Sequence, residues 1–219
     1  MMKIKLAHKT NYGNMRKTSD IKYIVIHYTA NDGDTDENNG TYFANNSNLQ
    51  ASAHYFVDDD SVTQSVPDNF IAWHCGAKKY KHAICRNANS IGVEICDDVK
   101  NGVILPSAKT IQNALELTKS LMKKYNIPKE NVIRHYDVTG KACPIYWVND
   151  TLWINEFWNK LSNDSTSTEI TSANDIVWEL NHSYFPIADM KKFVLELEIA
   201  KRDNSSLYWG FYKLVNKIK

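Results

Sequence analysis

"IKYIVIHYTA", residues 21–30, is an apolar run dense in Ile, Val and Tyr and too short for a helix, so it is expected to be a buried strand. It runs out at His27. A polar side chain at the C-terminal edge of a sheet commonly faces a cleft, which makes this imidazole a candidate site residue. Downstream, "NDGDTDENNGTYFANN" (31–46) begins with loop formers and turns helical around residues 41–45. "ASAHYFVDDDSVTQSV" (51–66) reads as two strands joined at the acidic triplet Asp58 to Asp60, a hairpin signal. "SIGVEI" (90–95) is another apolar strand, with the single carboxylate Glu94 inside it.

The clearest helix is "PSAKTIQNALELTKSLMKKYNIP" (106–128). Ser107 can cap it, Ile111, Leu115, Thr118, Met122 and Tyr125 recur at spacings of three and four, and Pro128 follows its end. "ENVIRH" (130–135) is then a short strand delivering His135, and "DTLWINEFWNKL" (150–161) is an amphipathic segment capped by Asp150. It places Leu152, Trp153, Phe157 and Leu161 over the core. Strands alternating with helices make residues 1–161 one α/β domain, a mixed sheet flanked by helices. "SNDSTSTEIT" (162–171) has little to bury and reads as a linker. Residues 172–219 carry three short helical patterns and are expected to form a small all-α bundle.

Charge is uninformative about partners: a net charge of +1 leaves no electrostatic footprint for nucleic acid. No uncharged apolar stretch of about 18 residues occurs, so no membrane span is expected. The N-terminal segment lacks the apolar run of a secretory signal, which points to synthesis in a cytoplasm. Cys75, Cys85, Cys96 and Cys143 include no close CxxC pair and read as thiols or a single ligand.

"RHYDVTGKACP" (134–144) joins His135 to Cys143 through a glycine-containing loop with Lys141 between them. Three readings fit the pair. Zinc takes imidazole and thiolate ligands and in catalytic sites uses three protein donors, for which His27 is the best third. Cys143 can instead be a nucleophile with His135 as base. Both can also be structural, the imidazoles satisfied by backbone and the thiol buried as a small hydrophobe.

"YIVIHYTA", "SAHYFVD", "AWHCG", "NSIGVEI" and "VIRHYDVTGKACP" occur in an order that resembles the zinc-dependent type 2 N-acetylmuramoyl-L-alanine amidases and peptidoglycan recognition proteins, over roughly residues 20–160. The resemblance implies one zinc ion on His27, His135 and Cys143, with Lys141 and Glu94 as catalytic groups and peptidoglycan as substrate. Chemistry agrees. Zinc lowers the pKa of a water it holds from 15.7 to about 7, Lys141 can stabilise the oxyanion, and Glu94 can carry the proton to the leaving amine. Non-catalytic members of the family typically lack the cysteine, so Cys143 beside Lys141 argues against a pure binding module.

Trp73 and His74 of "AWHCG" resemble groove-wall substrate contacts, a packed loop anchored by Trp73 being the alternative. Asn89 is either a turn residue or a groove donor. Strand alternation lets only one of His54 and Tyr55 line the cleft, and the register favours His54, with Tyr55 in the core. An amidase followed by an aromatic-rich C-terminal module resembles a phage or prophage endolysin of a Gram-positive host, released through the membrane by a separate protein. The module would bind a wall polymer or oligomerise. A bacterial autolysin is the alternative.

Overall fold

The computed structural model describes residues 2–100 and 102–162. Strands β1 (Met2–Ile4), β2 (Tyr12–Met15) and β3 (Tyr23–Tyr28) precede helix α1 (Asp36–Asn45). The hairpin β4 (Tyr55–Val57) and β5 (Val62–Gln64) follows, then β6 (Phe70–Ala72), β7 (Ser90–Ile95), β8 (Asp98–Lys100) and β9 (Val103–Leu105). Helix α2 (Ala108–Tyr125), β10 (Val132–Arg134), α3 (His135–Thr139) and α4 (Asp150–Glu156) complete the described chain. The anticipated bundle over 172–219, and all but the first residue of the anticipated linker, lie outside the described residues.

Six strands form one sheet in the order β1-β5-β4-β7-β3-β10. Within it β4, β7, β3 and β10 run parallel, while β5 returns antiparallel to β4. The sheet is therefore mixed, as the alternation of elements leads one to expect. Its two faces follow from the period of two along each strand. Ile24 and Ile26 of β3, Tyr55 and Val57 of β4, and Ile91, Val93 and Ile95 of β7 pack with Ala114 and Leu121 of α2. Each such aliphatic side chain contributes about 1.5–3 kcal/mol on burial. The intervening residues point the other way: Tyr23 and Val25 join Cys75, Cys85 and Val138 in a second cluster, and Phe56 stacks on Phe43 of α1. His27 and Glu94 share that second face, since the register pairs His27 with Glu94 and Glu94 with Phe56.

Local signals explain most boundaries, and two helix starts and one helix face depart from the sequence reading. Helix α1 begins at Asp36, because the Thr35 side chain accepts from the Asn38 N–H and caps it earlier than the apolar residues suggest. On α2 the buried residues are Thr110, Ala114, Thr118 and Leu121: Thr118 is as anticipated, and the other three each precede by one the anticipated Ile111, Leu115 and Met122. These small side chains let the helix lie close to the sheet, and Ile111, Leu115, Met122 and Tyr125 flank it partly buried. In α4 the cap is Asn149, whose side chain accepts from the N–H groups of Thr151 and Leu152, in place of Asp150. Trp153, Phe157 and Leu161 fill the core at four-residue spacing, whereas Leu152, one position round the helix, faces solvent.

Asp150 is not idle. Buried Arg134, the last residue of β10, donates to Asp137 at 2.7 and 2.8 Å, to Asp150 at 2.7 Å and to the Trp147 carbonyl at 2.7 Å. Asp150 itself is largely exposed, so the clamp rests mainly on Asp137 and the buried Trp147 carbonyl. The clamp fixes the start of α3, and with it His135.

Candidate active site

Four parallel strands end on one edge of the sheet, and side chains from three of their ends or following segments meet there. His27 comes from β3, Glu94 from the adjacent position on β7, and His135 from the residue after β10. Cys143 and Lys141 arrive on the loop after α3, which turns at Gly140 with φ of +86°, a left-handed conformation suited to glycine. Cys143 is tied back by the N–H of Tyr136 donating to its carbonyl at 2.9 Å.

The donor atoms of His27, His135 and Cys143 all lie within 4.8 Å of one another, and all three residues are buried. His27 Nδ1 is 3.8 Å from Cys143 Sγ and 3.9 Å from Glu94 Oε1. Two polar atoms here are buried with no hydrogen-bond partner, His135 Nδ1 and Glu94 Oε2. Unpaired buried polar atoms cost free energy, and a cation between the three donors would satisfy the imidazole.

Burial sets the protonation states. It holds the imidazole of His27 well below its ordinary range, assisted by His74, His135 and Lys141, and lowers that of His135 to about 4, with Lys141 adding to the effect. Both are thus neutral, the form a metal requires. Burial pushes the Cys143 thiol up to about 12 and the Glu94 carboxyl up to about 8, the latter opposed by Lys141. A dication would complement such a site, since it would stabilise the thiolate.

The cleft above these residues has a volume of about 210 Å³ and is walled by Asn39, Phe43, Phe56 and Trp73 among others. A shallower groove of about 590 Å³ runs on past Gln50, Ala77, Asn87 and Thr139. Trp73, His74, His135 and Lys141 line both, so the candidate metal site sits where they join.

Not every anticipated contact lies in the cleft. Tyr55 is in the core, as anticipated, on the helix face and donating to Asp68 at 2.7 Å. His54 does lie on the cleft side of the sheet, yet it is fully buried and does not line the cleft. The His74 ring covers it at 5.7 Å between centroids, and its Nδ1 accepts the Gly92 N–H at 2.9 Å, so it cannot touch a substrate. Asn89 is a turn residue: its Oδ1 accepts the Arg86 N–H at 2.7 Å and its Nδ2 donates to the Ile84 carbonyl. The groove amide is Asn87, whose Oδ1 also accepts the N–H groups of His74 and Cys75 at 3.2 and 2.8 Å. Sequence reasoning missed Asn87 and Arg16. Arg16 donates to the carbonyls of Asp68, Asn87, Ala88 and Ser90, at 2.8 Å for Ser90, and pins the turn before β7. Nothing in the pattern around Arg16 distinguishes it from a solvated cation.

An α/β sheet whose parallel strands converge on a buried imidazole, imidazole and thiol set defines a protein with a candidate metal centre at the strand ends. The chain belongs to the N-acetylmuramoyl-L-alanine amidase family, whose model matches residues 17–145. The N-acetylmuramoyl-L-alanine amidase CwlL of Bacillus licheniformis is 37% identical over 168 residues, which are 72% of this chain and 46% of that protein. The chain thus spans about half the length of the curated relatives it matches. Among solved structures, the PlyG catalytic domain is 33% identical with a TM-score of 0.63, covering 77% of this chain and 98% of that one. A mutant endolysin from Bacillus subtilis is 30% identical with a TM-score of 0.60, covering 74% and 98%.

Proposed function

We propose that this chain hydrolyses the amide between N-acetylmuramic acid and L-alanine of peptidoglycan, with one zinc ion held by His27, His135 and Cys143. The observation that carries this reading is the buried three-donor set opening, beside Glu94 and Lys141, into a cleft. A zinc ion bound there would acidify water and polarise the scissile carbonyl. The chain's own groups supply the rest. Glu94, raised to about 8, exchanges a proton near neutrality and can take one from water and return it to the departing nitrogen. Lys141, at the junction of cleft and groove, faces the oxygen on which negative charge develops. Trp73 offers an aromatic wall to sugar or peptide.

A cysteine nucleophile with His135 as base needs a thiolate beside an imidazolium. Burial opposes both, holding the thiol near 12 and the imidazole near 4. Elemental analysis paired with release of new N-terminal alanine from purified walls separates the two chemistries. The expected result is stoichiometric zinc, with release that chelation abolishes and zinc restores. Release that survives without metal would move the chemistry to Cys143, and zinc without release would make the chain a recognition module.

The same reading makes the chain an endolysin of a Gram-positive bacterium, let through the membrane by a separate protein, with residues 172–219 holding it on a wall polymer. Support comes from the endolysin among its structural relatives, the Bacillus source of CwlL and the aromatic-rich tail. Among the described residues no helix is long and apolar enough to cross a membrane. A tethered binding module raises local concentration on an insoluble substrate. Removing residues 163–219 is expected to preserve cleavage of soluble muropeptide and to reduce co-sedimentation with walls; unchanged co-sedimentation would refute the anchoring role.

A further inference from the structure

A chain of hydrogen bonds runs from His27 through His74, on the wall of the cleft, to the buried Ser90. His27 Nε2 lies 2.9 Å from His74 Nδ1, and His74 Nε2 lies 3.1 Å from Ser90 Oγ. Ser90 Oγ donates to the Arg86 carbonyl at 2.7 Å. A hydroxyl has one proton. The other acceptor within reach, Cys75 Sγ, is 3.9 Å away and cannot compete with an oxygen at 2.7 Å.

With its proton committed to Arg86, Ser90 can only accept from His74. A neutral His74 therefore carries its proton on Nε2 and offers Nδ1 as an acceptor. His27 must then donate from Nε2, which leaves the lone pair on Nδ1. That is the nitrogen facing Cys143 Sγ at 3.8 Å and Glu94 Oε1 at 3.9 Å. We propose that His74 and Ser90 are positioning residues that fix the tautomer and ring orientation of His27, so that Nδ1 is presented to the metal. This rests on the reading of His27 as a ligand, and it adds to the substrate-contact role anticipated for His74, which also lines the cleft.

The fold holds the relay from three sides. A Cβ at Gly92 would stand 2.5 Å from His74 Cγ, so the ring can lie across β7 only over a glycine. Asn87 accepts the His74 N–H, and Arg16 grips the Ser90 carbonyl. Ligating histidines generally donate their second nitrogen to such a partner, and loss of the partner typically weakens metal binding 10–100-fold.

The test uses the full chain with zinc alone as probe: affinity by chelator competition, and ring-nitrogen NMR shifts of His27 and His74 without metal. In the wild type both rings are expected to be protonated on Nε2. Ser90→Ala is expected to weaken zinc binding about 10–100-fold and to let His74 populate its other tautomer, whereas Ser90→Thr keeps the hydroxyl and both properties. Wild-type affinity and an unchanged His74 tautomer in Ser90→Ala would overturn the proposal, as would a wild-type His27 protonated on Nδ1. If the alanine variant does not fold, the wild-type tautomers decide. A wild type that takes up no zinc would refute the metal reading, and the nitrogen shifts would still judge the relay separately.

Discussion

Glu94→Gln is expected to lower the rate of alanine release about 10²–10⁴-fold, the usual worth of a general acid–base group, while making the metal-free chain more stable at pH 8. Both effects come from burial. The carboxyl is shifted from its ordinary 4.5 to about 8. In the unfolded chain it loses its proton through pH 4.5, but in the folded chain it keeps that proton until about 8. Between those values the folded state binds more protons, so stability falls as pH rises across the window. Below 4.5 both states are protonated and the penalty is absent; above 8 it is fully developed. Glutamine titrates nowhere in this range. Thermal midpoints of the two metal-free proteins should therefore be close at pH 4 and diverge up to pH 8, with the variant higher. Parallel curves would show that Glu94 is not held in its neutral form, and undiminished alanine release would remove it from the reaction.

Cys143→Ser is expected to weaken zinc binding by more than about 100-fold, beyond the range for a merely supporting residue, and to abolish alanine release with the fold retained. Serine keeps the shape of this buried side chain, so the loop and its bond from the Tyr136 N–H should persist. What it removes is the thiolate, the one anionic donor in a set whose other members are neutral imidazoles. Chelator competition gives the affinity and far-UV circular dichroism the fold. A serine variant that still binds zinc tightly and releases alanine would show that the metal is held elsewhere.

Strands β3, β4, β5, β7 and β10 were legible because their signal is local, whereas β1, β2, β6, β8 and β9, three or four residues long, were not anticipated. Short runs rich in Ile and Val gave β3 and β7, the acidic triplet gave the β4–β5 hairpin, and Ser107 with its apolar spacing gave α2. On α2 Thr118 was read correctly, but hydrophobicity points to Ile111 and Leu115, whereas the positions buried against the core are Thr110 and Ala114. At the site, motif order singled out the three donors now found together. Burial depth was not legible: strand alternation puts His54 on the correct face but cannot reveal that His74 lies over it. Gly92 was the one available clue, since a glycine inside an apolar strand marks a close approach. Arg16 and Asn87 act through backbone carbonyls and N–H groups, whose positions no side-chain pattern encodes.

His27 and Cys143 are separated by 116 positions in the chain. Their meeting requires β3, β7 and β10 to have paired in register, and such distant pairings are formed slowly. No early fragment of the chain, emerging or refolding, possesses the donor set. On the proposed reading, metal capture would follow assembly of the sheet, and zinc would add to stability by mass action without seeding the fold.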